Sequence, residues 1–405
     1  MDCDFLIVGA GQAARRAAET LRERDPAARI CMVGDEPHAP YDRPALSKAV
    51  LQDDANEACT FVRPLDDYAQ LRIDLRLGTA VTALSPKQHT AVLGDGSQIR
   101  YGKVLLATGS RARAFPGPVA AAAPVHYLRT LGDARRLRAE LRPGRRIVLV
   151  GGGFIGLEVA ATAVTRGCAT TVLEPGERLL RRTMPAPVGD FVAGLHRSHG
   201  VDLRLGVAVQ RIEAGEDGTA TLHTDAGALV ADAVVIGIGA EPNVELAAAA
   251  GIAVDDGIVV DESCRTSEAD VFAAGDVTRH FNPLIGRHLR VESWQVAENQ
   301  PVTAALAMLG EPSSYAEWPW LWSDQFECNL QSLGLFEPEH TIVVRREPGG
   351  GECSVLGLDR AGRLRAAATI DAGKDLAVWR RLASSGKPLD AGRLADPAVA
   401  PRSLI

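Results

Sequence analysis

The segment Arg146–Ala161 carries glycines at a spacing that suits the phosphates of a dinucleotide. Gly151, Gly153 and Gly156 follow an apolar run in the pattern G-x-G-x-x-G. The first glycine allows a tight turn, the second lets the backbone approach a pyrophosphate, and the third lets helix pack on strand. The helix that begins there offers free N–H groups and a positive dipole end to the phosphates. Glu174 ends the next apolar strand, at the distance expected of an acid that binds a ribose.

A second copy of this pattern lies near the N-terminus. Gly9 and Gly11 follow the apolar run Phe5–Val8, and Ala14 takes the place of the third glycine, which the pattern permits. Asp35 comes directly after the next strand and is the ribose candidate; an acid in a solvated turn is the alternative. Two fingerprints in one chain indicate one site for a nucleotide-bearing prosthetic group and one for a nicotinamide coenzyme. A hydride could then pass from one to the other.

Glu174 and the arginines after it bear on the choice of coenzyme. Arg178, Arg181 and Arg182 could hold the extra phosphate of NADPH, whereas a carboxylate at the ribose position repels that phosphate. The sequence therefore favours NADH.

Two further segments contain residues of uncertain role. Ser47 is predicted to cap a short helix that begins at Lys48, which makes Lys48 a solvated surface lysine in the simplest interpretation. Asp276 ends the strand Asp270–Gly275, where it could grip ribityl hydroxyls or be an ordinary turn acid.

These candidates need alternating strands and helices to position them. Period-two runs at residues 71–105 predict hairpins, with a turn at Gly94–Gly96, and helices are predicted at 131–141, 191–199 and 294–309. The tail from about residue 317 predicts an antiparallel sheet with one covering helix at 375–383. The fold class is therefore α/β, with two Rossmann-like dinucleotide-binding domains and a C-terminal α+β domain.

Composition excludes several other classes of protein. A net charge of −7 argues against nucleic acid or an anionic membrane as the main partner. No apolar run of membrane-spanning length and no signal segment is found, so we expect a cytoplasmic protein. The seven cysteines show no C-x-x-C spacing, which argues against a bound metal and for thiols in a reducing compartment.

Taken together, the chain resembles the NADH-dependent ferredoxin reductases of oxygenase systems, FAD flavoproteins related to glutathione reductase. The resemblance covers essentially the whole chain, and these motifs carry it: Val33–Glu36, Tyr41–Pro44, Leu46–Lys48, Ala107–Gly109, Tyr127–Thr130, Gly151–Glu158, Gly275–Val277, Glu292–Trp294 and Trp322–Gln325. It implies a split FAD-binding domain at 1–111 and 238–316, an inserted NADH-binding domain at 112–237, and a C-terminal domain at 317–405.

The resemblance also implies two sets of cofactor-binding residues. Those expected to bind FAD are Gly9, Gly11, Ala13, Ala14, Asp35, Arg43, Lys48, Val81, Ala107, Thr108, Gly109, Arg129, Gly275, Asp276, Glu292 and Trp294. Those expected to bind NADH are Gly151, Gly153, Phe154, Ile155, Gly156, Glu158, Glu174, Gly237 and Gly239. Lys48 and Glu158 match a pair near the flavin ring and the nicotinamide, so both are expected to take part in catalysis.

The expected reaction moves electrons from NADH through FAD, one at a time, to an iron–sulfur ferredoxin, expected to be of the [2Fe–2S] type. Disulfide reductases of this fold carry a cysteine pair facing the flavin, but Tyr41–Leu51 contains no cysteine. Trp320 or Trp322 and the arginines Arg279, Arg287 or Arg290 are candidates for the docking face. The protein is expected to be a monomer or weak homodimer. The ferredoxin's oxygenase, whether a cytochrome P450 or a Rieske enzyme, stays open, as do an NADH oxidase and a flavin-bound signalling protein.

Overall fold

The computed structural model describes residues 2–346 and 351–405, and the chain divides into two compact units. The first unit comprises Met1–Asp42, Ala58–Arg111 and Ala240–Pro319. The second unit comprises Arg43–Glu57, Ala112–Gly239 and Trp320–Ile405. Each unit is therefore built from three segments that are far apart in the sequence. The division into FAD-binding, NADH-binding and C-terminal domains stays a prediction.

The first unit is built around a seven-stranded sheet that is largely parallel. Its strands follow the order Ile73–Arg76, Ile30–Val33, Asp2–Val8, Gln98–Leu106, Thr90–Leu93 and Val81–Ser85, with Val271–Ala273 also paired to Gln98–Leu106. The pairs that involve Asp2–Val8 are parallel, and the helix Gln12–Arg24 forms the crossover from this strand to Ile30–Val33. The predicted hairpin at Gly94–Gly96 joins two antiparallel strands of this sheet, as expected. A smaller sheet contains Ile258–Val260, Thr278–Asn282 and Arg287–Leu289.

Two long helices of the first unit pack together against one face of its sheet. They are Gln12–Arg24 and Trp294–Met308, and their shared core includes Ala17, Leu21 and Ala304, all fully buried. Small alanines on these faces let the helix axes approach closely, which positions the N-terminus of each helix. The remaining helices of this unit are short: Ala58–Thr60, Leu65–Gln70, Pro86–Gln88 and Glu245–Ala249.

The second unit contains a five-stranded parallel sheet. Its strands follow the order Asp202–Leu205, Ala169–Glu174, Arg146–Val150, Ala233–Ile236 and Val125–His126. An antiparallel sheet of Val209–Ala214, Ala220–Thr224 and Gly227–Ala231 covers one side through a common apolar core. The helices are Arg43–Ser47, Ala49–Gln52, Asp54–Asn56, Leu131–Glu140, Phe154–Thr165 and Ala186–Ser198. The last begins at Ala186, earlier than predicted, because Pro187 is tolerated in the first turn, where its missing N–H needs no partner.

The C-terminal part of the second unit is an antiparallel sheet covered by a helix, as predicted. The strand order is Trp320–Gln325, Cys328–Gly334, Leu364–Ile370, Cys353–Leu358 and Thr341–Arg345. The helix Gly373–Ser385 covers it, and the fully buried Trp379 donates its indole N–H to the Ser354 hydroxyl at 3.1 Å. The short helices Ala391–Ala395 and Pro401–Leu404 come after it. Two further short strands, Ser110–Ala112 and Ala240–Pro242, lie where the chain passes from one unit to the other.

Candidate functional site

The first fingerprint forms a tight turn between the strand Asp2–Val8 and the helix Gln12–Arg24. Gly9 has φ +117°, and a Cβ atom there would lie 2.2 Å from the carbonyl oxygen of Ala107. Gly11 is the residue before the helix, and a Cβ atom there would meet no atom within 4 Å. The backbone is therefore closed against the sheet at Gly9 and open at Gly11, which leaves room for a phosphate at the helix N-terminus. Ala13 and Ala14 are buried in the first helical turn.

The turn at Gly275 and Asp276 belongs to the same unit and approaches this helix. A Cβ atom on Gly275, whose φ is +87°, would lie 3.0 Å from the Cβ of Ala13. The Gly275 N–H donates to Gln300 Oε1 at 2.8 Å, and the Ser110 hydroxyl donates to Asp276 Oδ2 at 3.3 Å. The structure thus brings the first fingerprint and the predicted flavin-binding turn together. Gln300, which sequence reasoning missed, fixes that turn.

The other residues of the predicted FAD set in this unit lie on four segments. Asn243 fixes Thr108 through two hydrogen bonds. The Thr108 hydroxyl donates to the backbone carbonyl oxygen of Asn243 at 2.8 Å, and Asn243 Nδ2 donates to the carbonyl oxygen of Thr108 at 2.8 Å. Trp294 begins the helix Trp294–Met308, which Ser293 caps, and its indole N–H donates to Asp42 at 3.0 Å. Asp35 and Glu292 are exposed, and Val81 is half-buried at the start of a strand. Gly109 follows Thr108 in the turn with φ +64°.

The second fingerprint repeats the geometry of the first in the other unit. Gly151 has φ +110°, and a Cβ atom there would lie 2.4 Å from the carbonyl oxygen of Gly237. Gly153 stands before the helix Phe154–Thr165, and Gly156 is buried in its first turn. Ile155 is 47% exposed at this helix start, so an apolar side chain faces outward beside the helix N-terminus. Gly239 follows Gly237 and is exposed, near the Arg182 guanidinium.

The carboxylate of Glu174 is fixed by the loops on either side of it. The Gly152 N–H donates to Oε2 at 2.7 Å, and the Gly176 N–H donates to Oε1 at 2.8 Å. Each oxygen keeps a lone pair with which to accept a ribose hydroxyl. Arg178 donates to the Met184 carbonyl oxygen at 2.7 Å, while Arg181 and Arg182 are exposed. The acid and the arginines therefore lie at the same edge of the parallel sheet, as a coenzyme site requires.

Lys48 and Glu158 form an ion pair inside the second unit. Lys48 Nζ lies 2.8 Å from Glu158 Oε2, and only 3% of the Glu158 side chain and 21% of the Lys48 side chain are exposed. Lys48 is therefore not the solvated lysine of the simplest interpretation. The same oxygen accepts from Ser47 Oγ at 2.5 Å, and Oε1 accepts from Ser323 Oγ at 2.6 Å. Burying a charge is costly unless it is paired and hydrogen-bonded, and here the carboxylate receives three donors.

The prediction that Ser47 caps the next helix is wrong. That helix is Ala49–Gln52, its N-cap position is Lys48, and no side chain caps it. The Ser47 hydroxyl instead donates to Glu158, and the carbonyl oxygen of Ser47 accepts from the Thr162 hydroxyl at 3.0 Å. Arg43, at the start of the same segment, donates to the carbonyl oxygen of Arg129 at 2.6 Å. Arg43, Lys48 and Arg129 thus lie in the unit of the second fingerprint.

The cysteines show no arrangement suited to electron transfer. All seven are reduced thiols, and burial raises the pKa of Cys3 to about 11 and that of Cys31 and Cys328 to about 12. A thiol with so high a pKa is a poor nucleophile near neutral pH. Among the described residues, no group of three histidines, cysteines or acids lies close enough to hold a metal ion. No helix in that same part of the chain is long and apolar enough to cross a bilayer.

Comparison with known proteins places these features in a family. The pyridine nucleotide-disulphide oxidoreductase profile matches residues 3–300, and the reductase C-terminal profile matches residues 320–405. The chain is 52% identical over 99% of both lengths to the ferredoxin–NAD(+) reductase component of the anthranilate 1,2-dioxygenase system of Burkholderia cepacia. It is 37% identical to putidaredoxin reductase of Pseudomonas putida, over 99% of this chain and 96% of that protein. The reductase in the covalent putidaredoxin reductase–putidaredoxin complex superimposes with a TM-score of 0.95, at 36% identity and over 99% and 98% of the two chains.

The chain therefore belongs to the pyridine nucleotide-disulphide oxidoreductase family, in the branch that carries the reductase C-terminal domain. The predicted family and the predicted fold class are both confirmed. The individual cofactor contacts of the predicted residues stay predictions, although the structure places each of them in one of the two fingerprint units.

Proposed function

We propose that this protein is the NADH-dependent ferredoxin reductase of an oxygenase system. The observation that carries the proposal is the presence of two dinucleotide fingerprints together with a buried Lys48–Glu158 pair on a segment without cysteine. A disulfide reductase would need a redox thiol there. The closely similar ferredoxin–NAD(+) reductase component of the anthranilate 1,2-dioxygenase system supports the same conclusion.

The residues of the first unit fit FAD, and those of the second fit NADH. The open space at Gly11 and Gly153, each directly before a long helix, suits a pyrophosphate. When bound, FAD would supply the capacity to take up a hydride from NADH and to give up electrons singly, as a one-electron carrier requires. Asp35 and Glu174 hold ribose hydroxyls, and Asp276 holds hydroxyls of the ribityl chain. The N-terminus at Trp294 adds a positive dipole end.

Lys48 and Glu158 provide the electrostatic part of catalysis. Lys48 presents a positive charge that stabilises the negative charge developing during reduction, while Glu158 holds the ammonium group in place. Neither residue needs to exchange a proton in the hydride step, because that step depends on positioning.

The electron acceptor is an iron–sulfur ferredoxin, which we propose is of the [2Fe–2S] type. The stacked indoles of Trp320 and Trp322, with ring centres 5.1 Å apart, are half-buried and offer a flat contact surface. Arg279 pairs with Asp255, and Arg290 pairs with Asp256 and Glu292, so both charges are largely compensated within the chain. Two of the three arginines proposed from sequence are thus weak candidates for steering an acidic ferredoxin.

We further propose that the terminal enzyme is a Rieske-type dioxygenase of aromatic acids, that the reductase acts as a monomer or weak homodimer, and that it is located in the cytoplasm. The dioxygenase proposal rests on the similarity to the anthranilate system component, and a cytochrome P450 is the alternative.

NADH-driven reduction of purified ferredoxins from dioxygenase and P450 systems tests this function. We expect fast reduction of a dioxygenase ferredoxin that slows as salt is raised, because docking of charged partners is screened. Faster reduction of a P450 ferredoxin would overturn the dioxygenase proposal alone. Rapid oxygen consumption without any ferredoxin would instead indicate an NADH oxidase, and slow turnover with a long-lived coenzyme complex would indicate a signalling flavoprotein.

A further inference from the structure

Behind the Lys48–Glu158 pair lies a line of buried polar side chains that the proposed reaction does not use. It runs from Glu158 to Ser323, then to Gln325 and then to His196, within the second unit. Ser323 and His196 are fully buried and Gln325 is 3% exposed. Buried polar groups in such a row are costly unless they satisfy one another, so their arrangement calls for a reason.

The hydrogens of this line can be placed by donor and acceptor chemistry. Gln325 Oε1 only accepts, so His196 Nε2, which lies 2.8 Å away, must donate. Gln325 Nε2 only donates, so Ser323 Oγ accepts from it at 3.0 Å and must use its single proton toward Glu158 Oε1 at 2.6 Å. Every donor in the line therefore points toward the Glu158 carboxylate.

His196, the last member of the line, is suited to act as a donor toward Gln325. Burial lowers the pKa of His196, which keeps the imidazole neutral near neutral pH. With the proton on Nε2, the buried Nδ1 is an acceptor and has no hydrogen-bond partner in the structure. One buried ring nitrogen of His196 therefore stays unsatisfied, at a cost in free energy.

We propose that Ser323, Gln325 and His196 are positioning residues that hold Glu158 as a charged, immobile acceptor for Lys48. Ser323 and Gln325 come from the strand Trp320–Gln325, and His196 comes from the helix Ala186–Ser198. The C-terminal domain thereby contributes to the coenzyme side of the reaction, in addition to any contact it makes with a ferredoxin. This inference rests on the proposed roles of Lys48 and Glu158.

Ser323→Ala tests the inference in the FAD-loaded enzyme. Anaerobic stopped-flow reduction of the bound FAD at several NADH concentrations separates the limiting rate from the apparent Kd of NADH. We expect the limiting rate to fall about tenfold, the size typical of one hydrogen bond to a charged group, with the apparent Kd changed less than about twofold. Ser332→Ala is the matched control, because Ser332 is also buried and pairs with Leu321 on the adjacent strand.

A double-mutant cycle with Glu158→Gln separates positioning from a general loss of packing. If Ser323 acts through Glu158, the double variant is no slower than Glu158→Gln alone. If the two substitutions lower the limiting rate of FAD reduction multiplicatively, or if Ser323→Ala has the wild-type limiting rate, the inference is overturned while the proposed function stays intact. A wild-type rate in Glu158→Gln would instead remove the proposed role of Glu158, and this inference with it.

Gln325→Leu provides a second variant in case Ser323→Ala does not fold. It removes the donor to Ser323 Oγ but leaves the serine able to donate to Glu158, so we expect a smaller loss of limiting rate, about threefold. A loss equal to that of Ser332→Ala would contradict the inference.

Discussion

Glu158 receives three donors from two separate segments of the chain. Its two oxygens bind Lys48, Ser47 and Ser323, and the side chain is almost completely buried. A carboxylate with so many donors is rigid, and rigidity is what electrostatic catalysis requires of a group that must not reorganise during the reaction. Because Glu158 is held this way, a change in any of its partners should alter the position of the Lys48 ammonium group.

Lys48→Ala should slow reduction of the bound FAD by NADH. Removal of the ammonium group leaves Glu158 as a buried, unpaired charge and removes the stabilisation of developing negative charge, so we expect a loss of about tenfold to a thousandfold. The measurement is the anaerobic limiting rate of FAD reduction. Lys374→Ala, which removes an exposed lysine from a helix of the same unit, should leave that rate unchanged. Normal reduction in Lys48→Ala would remove this residue from the mechanism.

Glu174→Arg should shift the coenzyme preference toward NADPH. The Gly152 and Gly176 N–H groups lose their acceptor, and a cation replaces the anion at the ribose position. We expect kcat/KM for NADH to fall by about tenfold to a hundredfold, with a smaller loss for NADPH. Glu177→Arg makes the same charge change at an exposed site nearby and serves as the control. An unchanged ratio of the two kcat/KM values would show that Glu174 does not choose the coenzyme.

At the scale of elements, each fingerprint depends on a strand-to-helix turn that lies very close to a neighbouring strand end. Gly9 approaches Ala107, and Gly151 approaches Gly237, at the same position of the two parallel sheets. The two copies are thus equivalent in geometry, although we propose that they bind different groups. They differ at the third position of the pattern, which is Ala14 in one helix and Gly156 in the other.

Gly151→Ala should weaken NADH binding while FAD stays bound. The added Cβ would lie 2.4 Å from the Gly237 carbonyl oxygen, and the φ of +110° strains any residue other than glycine. We expect the purified variant to keep its flavin absorbance, and its KM for NADH to rise by about tenfold or more. Gly144→Ala is the matched control, since Gly144 also has a positive φ of +79° but has nothing within 4 Å of the added atom. An unchanged KM in Gly151→Ala would contradict the assignment of this turn to the coenzyme.

The sequence predicted these turns because their signal is local. Strand, glycine turn, helix and acid lie within about 30 residues of one another, and each has its own residue pattern. The line from Glu158 to His196 joins residues that are up to 165 apart, so no local pattern could reveal it. The only sequence signal for this line was the segment Trp322–Gln325, which was one of the motifs that carry the family resemblance but indicated no role for Ser323 or Gln325. Ser47 was misjudged for the same reason, because a serine before a short helix has the pattern of a cap whether or not a distant carboxylate binds it.

At the scale of the whole molecule, the charge balance and the buried histidines determine how the protein responds to pH. His280, in the first unit, is 1% exposed, and neither of its ring nitrogens has a hydrogen-bond partner among the residues that the structure describes. Burial lowers its pKa from 6.5 to about 4. The unfolded chain therefore binds a proton at His280 in the range where the folded chain does not.

The stability of the protein should fall as the pH is lowered from about 6.5 to about 4. Because the folded pKa is depressed, the contribution of His280 is constant above pH 6.5 and is lost below it, by about 3 kcal/mol at most. Denaturant unfolding across this pH range measures the loss. His280→Leu should reduce the pH dependence, whereas His89→Gln, which replaces a half-buried histidine of the same unit, should not. Equal pH dependence in both variants would show that His280 does not remain neutral.

The strand Trp320–Gln325 presents alternate side chains to opposite faces, because successive residues of a strand point in opposite directions. Ser323 and Gln325 point toward Glu158, while Trp320, Trp322 and Asp324 form the other face. A single inserted or deleted residue would exchange the two faces and disable both at once. Divergence among relatives should therefore proceed at this strand by substitution at positions 320, 322 and 324, which leaves the serine and the glutamine in register.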